Sequence, residues 1–206
     1  MLWAANSTGV SLRARLREAC AESHRELDAR LGVLDLRRLR DYRTFLEISA
    51  TALLPLEAAL VSAHVERMFP DWDRRSRSDA ILADIARLGG IVRRSSAPEA
   101  LGSGGILGTM YVLEGSRLGA RVLLRRALES SHPEVLEAGA YLSHGVGSNF
   151  WQSFNTTLEF HGARLSDHRP VVRAARRAFD LFAAAASTIG APAAQRVKVD
   201  GVRVGA

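Results

Sequence analysis

Residues 15–31, RLREACAESHRELDARL, carry the reading that decides the fold. Leu16, Cys20, His24, Leu27 and Leu31 recur at steps of four, four, three and four, so they share one face of an α-helix. Ser11 is a suitable N-cap and Gly32 a suitable stop, which predicts one helix over 11–31. The stripe sets His24 among apolar neighbours and predicts a buried ring in need of a polar partner.

The same style of pattern runs through the rest of the chain. LRDYRTFLEISATALLPLEAAL (39–60) reads as a second helix, with Pro55 expected to kink or divide it. MFPDWDRRSR (68–77) reads as a loop, followed by a short helix over 78–88. A long helix is expected over 104–129, a short one over 134–142, a glycine-rich turn at HGVGSNFW (144–151), a helix over 151–160 and a last one over 171–189. β-Branched residues never form alternating runs. The expected fold class is therefore all-α, a single domain of about seven or eight helices over 11–189. Residues 1–10 are expected to be a flexible N-terminus and 190–206 a loose tail.

Composition narrows the function. The 206 residues are 47% apolar, ordinary for a soluble domain. No apolar run is read as reaching the roughly 18 to 20 residues of a membrane span. The start MLWAANSTGV lacks the layout of a signal peptide, so a cytoplasmic protein without a membrane partner is expected. A single cysteine, Cys20, forbids an intrachain disulfide and argues against a thiolate cluster. The charge of +6 rests almost wholly on arginines interspersed with acidic residues, so no nucleic-acid partner is expected. Arginine also suits a small ligand's carboxylates, which its planar fork binds bidentately.

Two features point to a ligand. His24 reads either as a core histidine bonded to a carbonyl or carboxylate, or as a ligand to a metal or haem, for which neutral imidazole is well suited. No second histidine follows at i+4, so a zinc site on this helix lacks support. Arg17 lies seven residues earlier, about 10 Å along a continuous helix and nearly on the same face. It could pair with a propionate of a haem held at His24, or simply be solvated. The second feature is GTMYVLEGSRLGARVLLRR (108–126), where Gly108, Gly115 and Gly119 interrupt an otherwise helical pattern. Each interior glycine costs roughly 0.5–1 kcal/mol relative to alanine. Either a second helix packs closely there, or a flat ligand approaches the backbone.

Together, LREACAESHRELDARL (16–31) and YVLEGSRLGARVLLRR (111–126) resemble the proximal and distal helices of the haem oxygenase family, and GSNFWQSFNTTLE (147–159) resembles its following helix. The resemblance covers roughly residues 11–185 and is nearest to the bacterial branch associated with bacteriophytochromes. It implies a haem-oxygenase-like helical fold and cleavage of haem to biliverdin, carbon monoxide and ferrous iron. O2 and an external electron donor, a ferredoxin or flavoprotein reductase, are implied co-reactants, and a bacteriophytochrome is an implied bilin acceptor. A monomer is expected. The alternative is a haem storage, delivery or sensor protein that does not cleave haem.

Residue by residue, the resemblance gives His24 the axial-ligand role, Arg17 a propionate contact, and Gly115 and Gly119 the close approach on the distal side. Ser116 stands where many members have an Asp that organises distal water, and Ala120 replaces a frequent glycine. Ser148 and Gln152 fall near positions that are basic in animal members, so that contact must weaken or come from another arginine such as Arg121 or Arg177. Tyr111 is read as packing, with a propionate hydrogen bond as the other reading.

Overall fold

Twelve of the twenty-four residues of one central helix are buried, and the other helices assemble around it. The computed structural model describes residues 10–93, 95, 99–187 and 196–197. The chain forms α1 (Leu12–Ala19), α2 (Ala21–Leu31), α3 (Leu39–Ser62), a 3-10 turn (Val65–Arg67), α4 (Trp72–Arg75) and α5 (Ser78–Arg87). There follow β1 (Val92–Arg93), α6 (Ser103–Ala127), α7 (Pro133–Glu137), α8 (Ala140–Ser143), α9 (Phe150–Gly162), α10 (Arg169–Ser187) and β2 (Arg196–Val197). Among the described residues seven of the ten α-helices have eight residues or more. The fold is all-α apart from β1 and β2, which pair antiparallel with Val92 opposite Val197. The expectations for 1–10 and 190–206 lie almost wholly outside the described residues.

Local chemistry explains most element ends. Ser11 Oγ accepts from Ala14 N at 3.2 Å, so the N-cap read from sequence is present. A second cap is tertiary: Glu159, on α9, accepts from the backbone N–H of Arg13 at 3.1 Å. The left-handed backbone of Gly145 (φ 78°) and Gly147 (φ 83°) makes the turn before α9.

Several expectations need correction. The helix over 11–31 is broken at Cys20 (φ −105°, ψ 2°), which ends α1 and begins α2. Pro55 neither ends nor divides α3, which continues to Ser62. The segment 68–77, read as a loop, contains α4, and 134–142 holds two short helices rather than one. By length and composition α3 is apolar enough to cross a bilayer, contrary to the reading that no such run exists. Most of that stretch is buried inside the fold, so it is a core helix here.

The core is contiguous from α1 to α10. Tyr42 on α3 is fully buried and donates to Ala138 O at 2.5 Å, tying α3 to the α7–α8 connection. α10 lies along α6, and a Cβ on Gly108 would fall on the Val171 carbonyl oxygen and 2.9 Å from Ala174 Cβ. Gly108 is therefore a packing glycine.

Candidate haem site

α2 and α6 face each other across a cavity of about 740 Å3, within the range of pockets that hold small organic ligands. His24, Leu27 and Leu31 line its α2 side, and Gly115, Ser116 and Ala120 its α6 side. Phe45, Phe179 and Phe182 add apolar surface from α3 and α10.

His24 is not in the core, as its stripe suggested; its side chain is 63% exposed and stands on the cavity wall. The bend at Cys20 separates the two halves of the stripe. Leu16 and Cys20 pack into the core, whereas α2 contains no fully buried residue. The apolar face of α2 is thus a cavity lining. His24 Nδ1 lies 2.9 Å from Asp28 Oδ2. A carboxylate only accepts, so Nδ1 carries a proton, and Nε2 is the ring nitrogen that faces away from Asp28 as the candidate ligand atom. The ring also meets Phe179 edge-on, with centroids 5.9 Å apart. Among the described residues no group of three or more His, Cys, Asp or Glu side chains could hold a bare metal ion. A single imidazole in an apolar slot suits a metal that brings its own ring of ligands.

The two glycines of α6 differ from Gly108. A Cβ at Gly115 would meet only Trp151 Cζ3, at 3.8 Å, and one at Gly119 would meet nothing within 4 Å. Neither is required by helix packing. Gly115 lines the cavity directly; Gly119 is exposed and outside the lining, while its neighbours Leu118 and Ala120 are within it.

At one corner Arg13 and Arg17, one turn apart on α1, line the cavity together with Tyr111 and Trp151. The Arg13 guanidinium lies 5.7 Å from the Trp151 ring centroid, and that ring is 6.1 Å from Tyr111. Burial pushes the Tyr111 hydroxyl up, a nearby Cys20 adds to this, and Arg13 and Arg17 oppose it. Burial likewise raises the Cys20 thiol, against the opposing charge of Arg176. Ser148 and Gln152 are not in the lining; Ser148 Oγ is spent on Gly145 O at 2.6 Å. Arg121 is also outside it, and Arg177 pairs with Glu99 at 2.5 Å. The arginine that lines the cavity beside Arg17 is instead Arg13, one turn earlier on α1, which sequence reading did not single out.

Ser116 Oγ donates to Leu113 O at 2.7 Å and accepts from Arg77 Nη2 at 3.0 Å. Behind it lies a buried ionic network that sequence reading missed. Glu114, 1% exposed, pairs with Arg75 at 3.3 Å and Arg117 at 3.0 Å. Arg75 also bonds Asp71 and Ser153, each at 2.7 Å. Arg117 is pushed down to about 10 by burial, then by the Arg77 charge, against the pull of Glu114. Its Nη1 lies 2.9 Å from His144 Nδ1, and burial followed by Arg117 lowers that imidazole below its ordinary 6.5. Lone carboxylates in apolar runs, Glu57 in LPLEAAL and Glu114 in MYVLEG, were the available signal, because a buried carboxylate demands partners.

The donor set therefore fits a haem: one oriented imidazole, an opposite wall without a side chain at Gly115, apolar faces, and two arginines at one corner for carboxylates. Similarity to known proteins agrees. Haem oxygenase PigA of Pseudomonas aeruginosa is 30% identical over 186 residues, covering 87% of this chain and 93% of that protein. The crystal structure of NO- and CO-bound haem oxygenase from Neisseria meningitidis matches the fold with a TM-score of 0.74. That match has 19% identity and covers 94% of this chain and 99% of the other. No family model matches. The fold is that of a helical haem oxygenase. The chain belongs to the haem oxygenase family.

Proposed function

We propose that this protein binds haem between α2 and α6 and cleaves it to biliverdin, carbon monoxide and ferrous iron, using O2 and an external electron donor. The observation that carries the site assignment is the cavity with the Asp28-oriented His24 on one wall and Gly115 and Ser116 on the other. Haem supplies both the iron that activates O2 and the carbon skeleton that is oxidised.

The protein's part is binding, orientation and exclusion of water. His24 Nε2 would hold the haem iron, with Asp28 orienting the imidazole through Nδ1. Arg13 and Arg17 hold the propionates, with Tyr111 beside them, and so set the rotation of the ring in its plane. Gly115 lets the plane approach the α6 backbone, Ala120 keeps the wall low, and Gly119 leaves the helix surface bare one turn on. Phe45, Phe179 and Phe182 exclude water from the faces. The neutral imidazole is suited to this chemistry, whereas a thiolate favours O–O scission. In this reading a ferredoxin or flavoprotein supplies the electrons, and an acceptor such as a bacteriophytochrome takes the bilin.

The test is to add haem to the purified protein and supply reductant in air. Loss of the Soret band with growth of bilin absorption is expected. Haem that survives many reducing equivalents would instead mark a storage, delivery or sensor protein.

A further inference from the structure

Arg77 is the charged group on the α6 side of the cavity that haem binding as described does not use. It immediately precedes α5, lines the cavity with Gly115 and Ser116, and is 2% exposed. Its Nη2 donates to Leu113 O and to Ser116 Oγ, each at 3.0 Å. Its Nε is buried and has no hydrogen-bond partner. The Tyr141 ring lies 5.1 Å from the guanidinium carbon. The nearby carboxylate of Glu57 accepts from the backbone N–H of Arg77 at 2.9 Å, from Ser78 N at 3.1 Å, and from the hydroxyls of Ser76 and Ser78 at 2.6 Å. It is thus committed to the start of α5 and not to the guanidinium. Arg117 and His144 also act on this region, and Arg117 is itself matched by Glu114.

A nearly buried guanidinium at a cavity wall with no carboxylate of its own leaves a charge that an anion in the cavity would offset. Ser116 offers such an anion no proton, because its own goes to Leu113 O and Arg77 takes one of its lone pairs. It is left as an acceptor. We propose that Arg77 sets the electrostatic field on the side opposite His24: anchored to Leu113 O and Ser116 Oγ, its guanidinium holds a permanent positive charge in the wall that an exchangeable haem ligand would meet. The distal field therefore favours an anionic ligand.

The inference rests on the haem-binding reading, so the first control is a Soret titration. Wild-type protein that binds no haem sinks that reading, whatever Arg77 does. The test proper is fluoride affinity of the ferric haem complex at fixed pH. Arg77→Gln keeps an N–H for Leu113 O but removes the charge, and fluoride affinity is expected to fall roughly tenfold with haem binding intact. In the same variant the acid-to-alkaline midpoint of the ferric complex should rise by roughly one pH unit. Arg77→Lys should restore most of both. Equal fluoride affinity in wild type and Arg77→Gln overturns the proposal, as does a fall in Arg77→Lys as large as in Arg77→Gln. Ser116→Ala, which leaves the guanidinium in place, should stay within about threefold of wild type. A tenfold fall there transfers the role to Ser116 and also overturns the proposal, even if the Arg77 variants do not fold.

Discussion

His24 Nδ1 and Asp28 Oδ2 lie 2.9 Å apart, one turn from each other along α2, with both side chains on the open side of the helix. The pair orients an imidazole that the surrounding core does not bury. Asp28→Asn keeps the geometry but removes the anionic acceptor. Haem affinity by Soret titration should fall roughly tenfold, the lower end for such partners, because solvent screens this one. His24→Ala should lose the normal axial coordination altogether, and an unchanged ferric spectrum would reject His24 as ligand.

The glycines of α6 should respond in opposite directions. Gly108→Ala drives a methyl into the Val171 backbone and should destabilise the fold by roughly 1–3 kcal/mol or more. Gly119→Ala meets nothing and should stabilise it by roughly 0.5–1 kcal/mol through helix propensity. Urea unfolding midpoints check both, and equal signs would refute the division of roles.

Glu114 is the carboxylate shared by Arg75 and Arg117. Glu114→Gln leaves the nearly buried Arg117 without its ion-pair partner, while Arg75 keeps Asp71, and should cost about 3–5 kcal/mol. Because the pair is buried, the loss should persist in high salt. A loss that disappears at 1 M salt, roughly a 3 Å screening length, would contradict this placement.

His144 should make stability depend on pH. Its folded-state value lies below the ordinary 6.5 because of burial, then the Arg117 and Arg77 charges. The unfolded chain therefore takes up the proton first as pH falls. The stabilising contribution is complete above 6.5 and is lost below it, down to the lowered folded value. His144→Gln should flatten the decline of the urea midpoint below pH 6.5. A decline of the same steepness in the variant would assign the effect elsewhere.

Much of the fold was legible because helical periodicity and capping are local. Ser11, the α2 stripe, α5, α6 and α9 could be read within a few residues of their ends. The bend at Cys20 could not, since backbone hydrogen bonds run on across it, from Cys20 N to Leu16 O and from His24 N to Cys20 O. Pro55 also misled, because a long buried helix can absorb one missing donor.

By itself the sequence determined the helical class and the small side chains at 115 and 119, which follow from patterns within single elements. That Arg17 on α1 and His24 on α2 meet at one cavity across the break at Cys20 was settled by tertiary structure. Only the tertiary structure decided that His24 borders a cavity instead of the core, that Gly108 serves packing while Gly115 serves the cavity, and that Arg13 joins Arg17. It also brought Arg77 to Ser116 across thirty-nine residues. Burial and hydrogen-bond partnership are relations between elements, so a pattern within one helix names which face is apolar but not what that face meets.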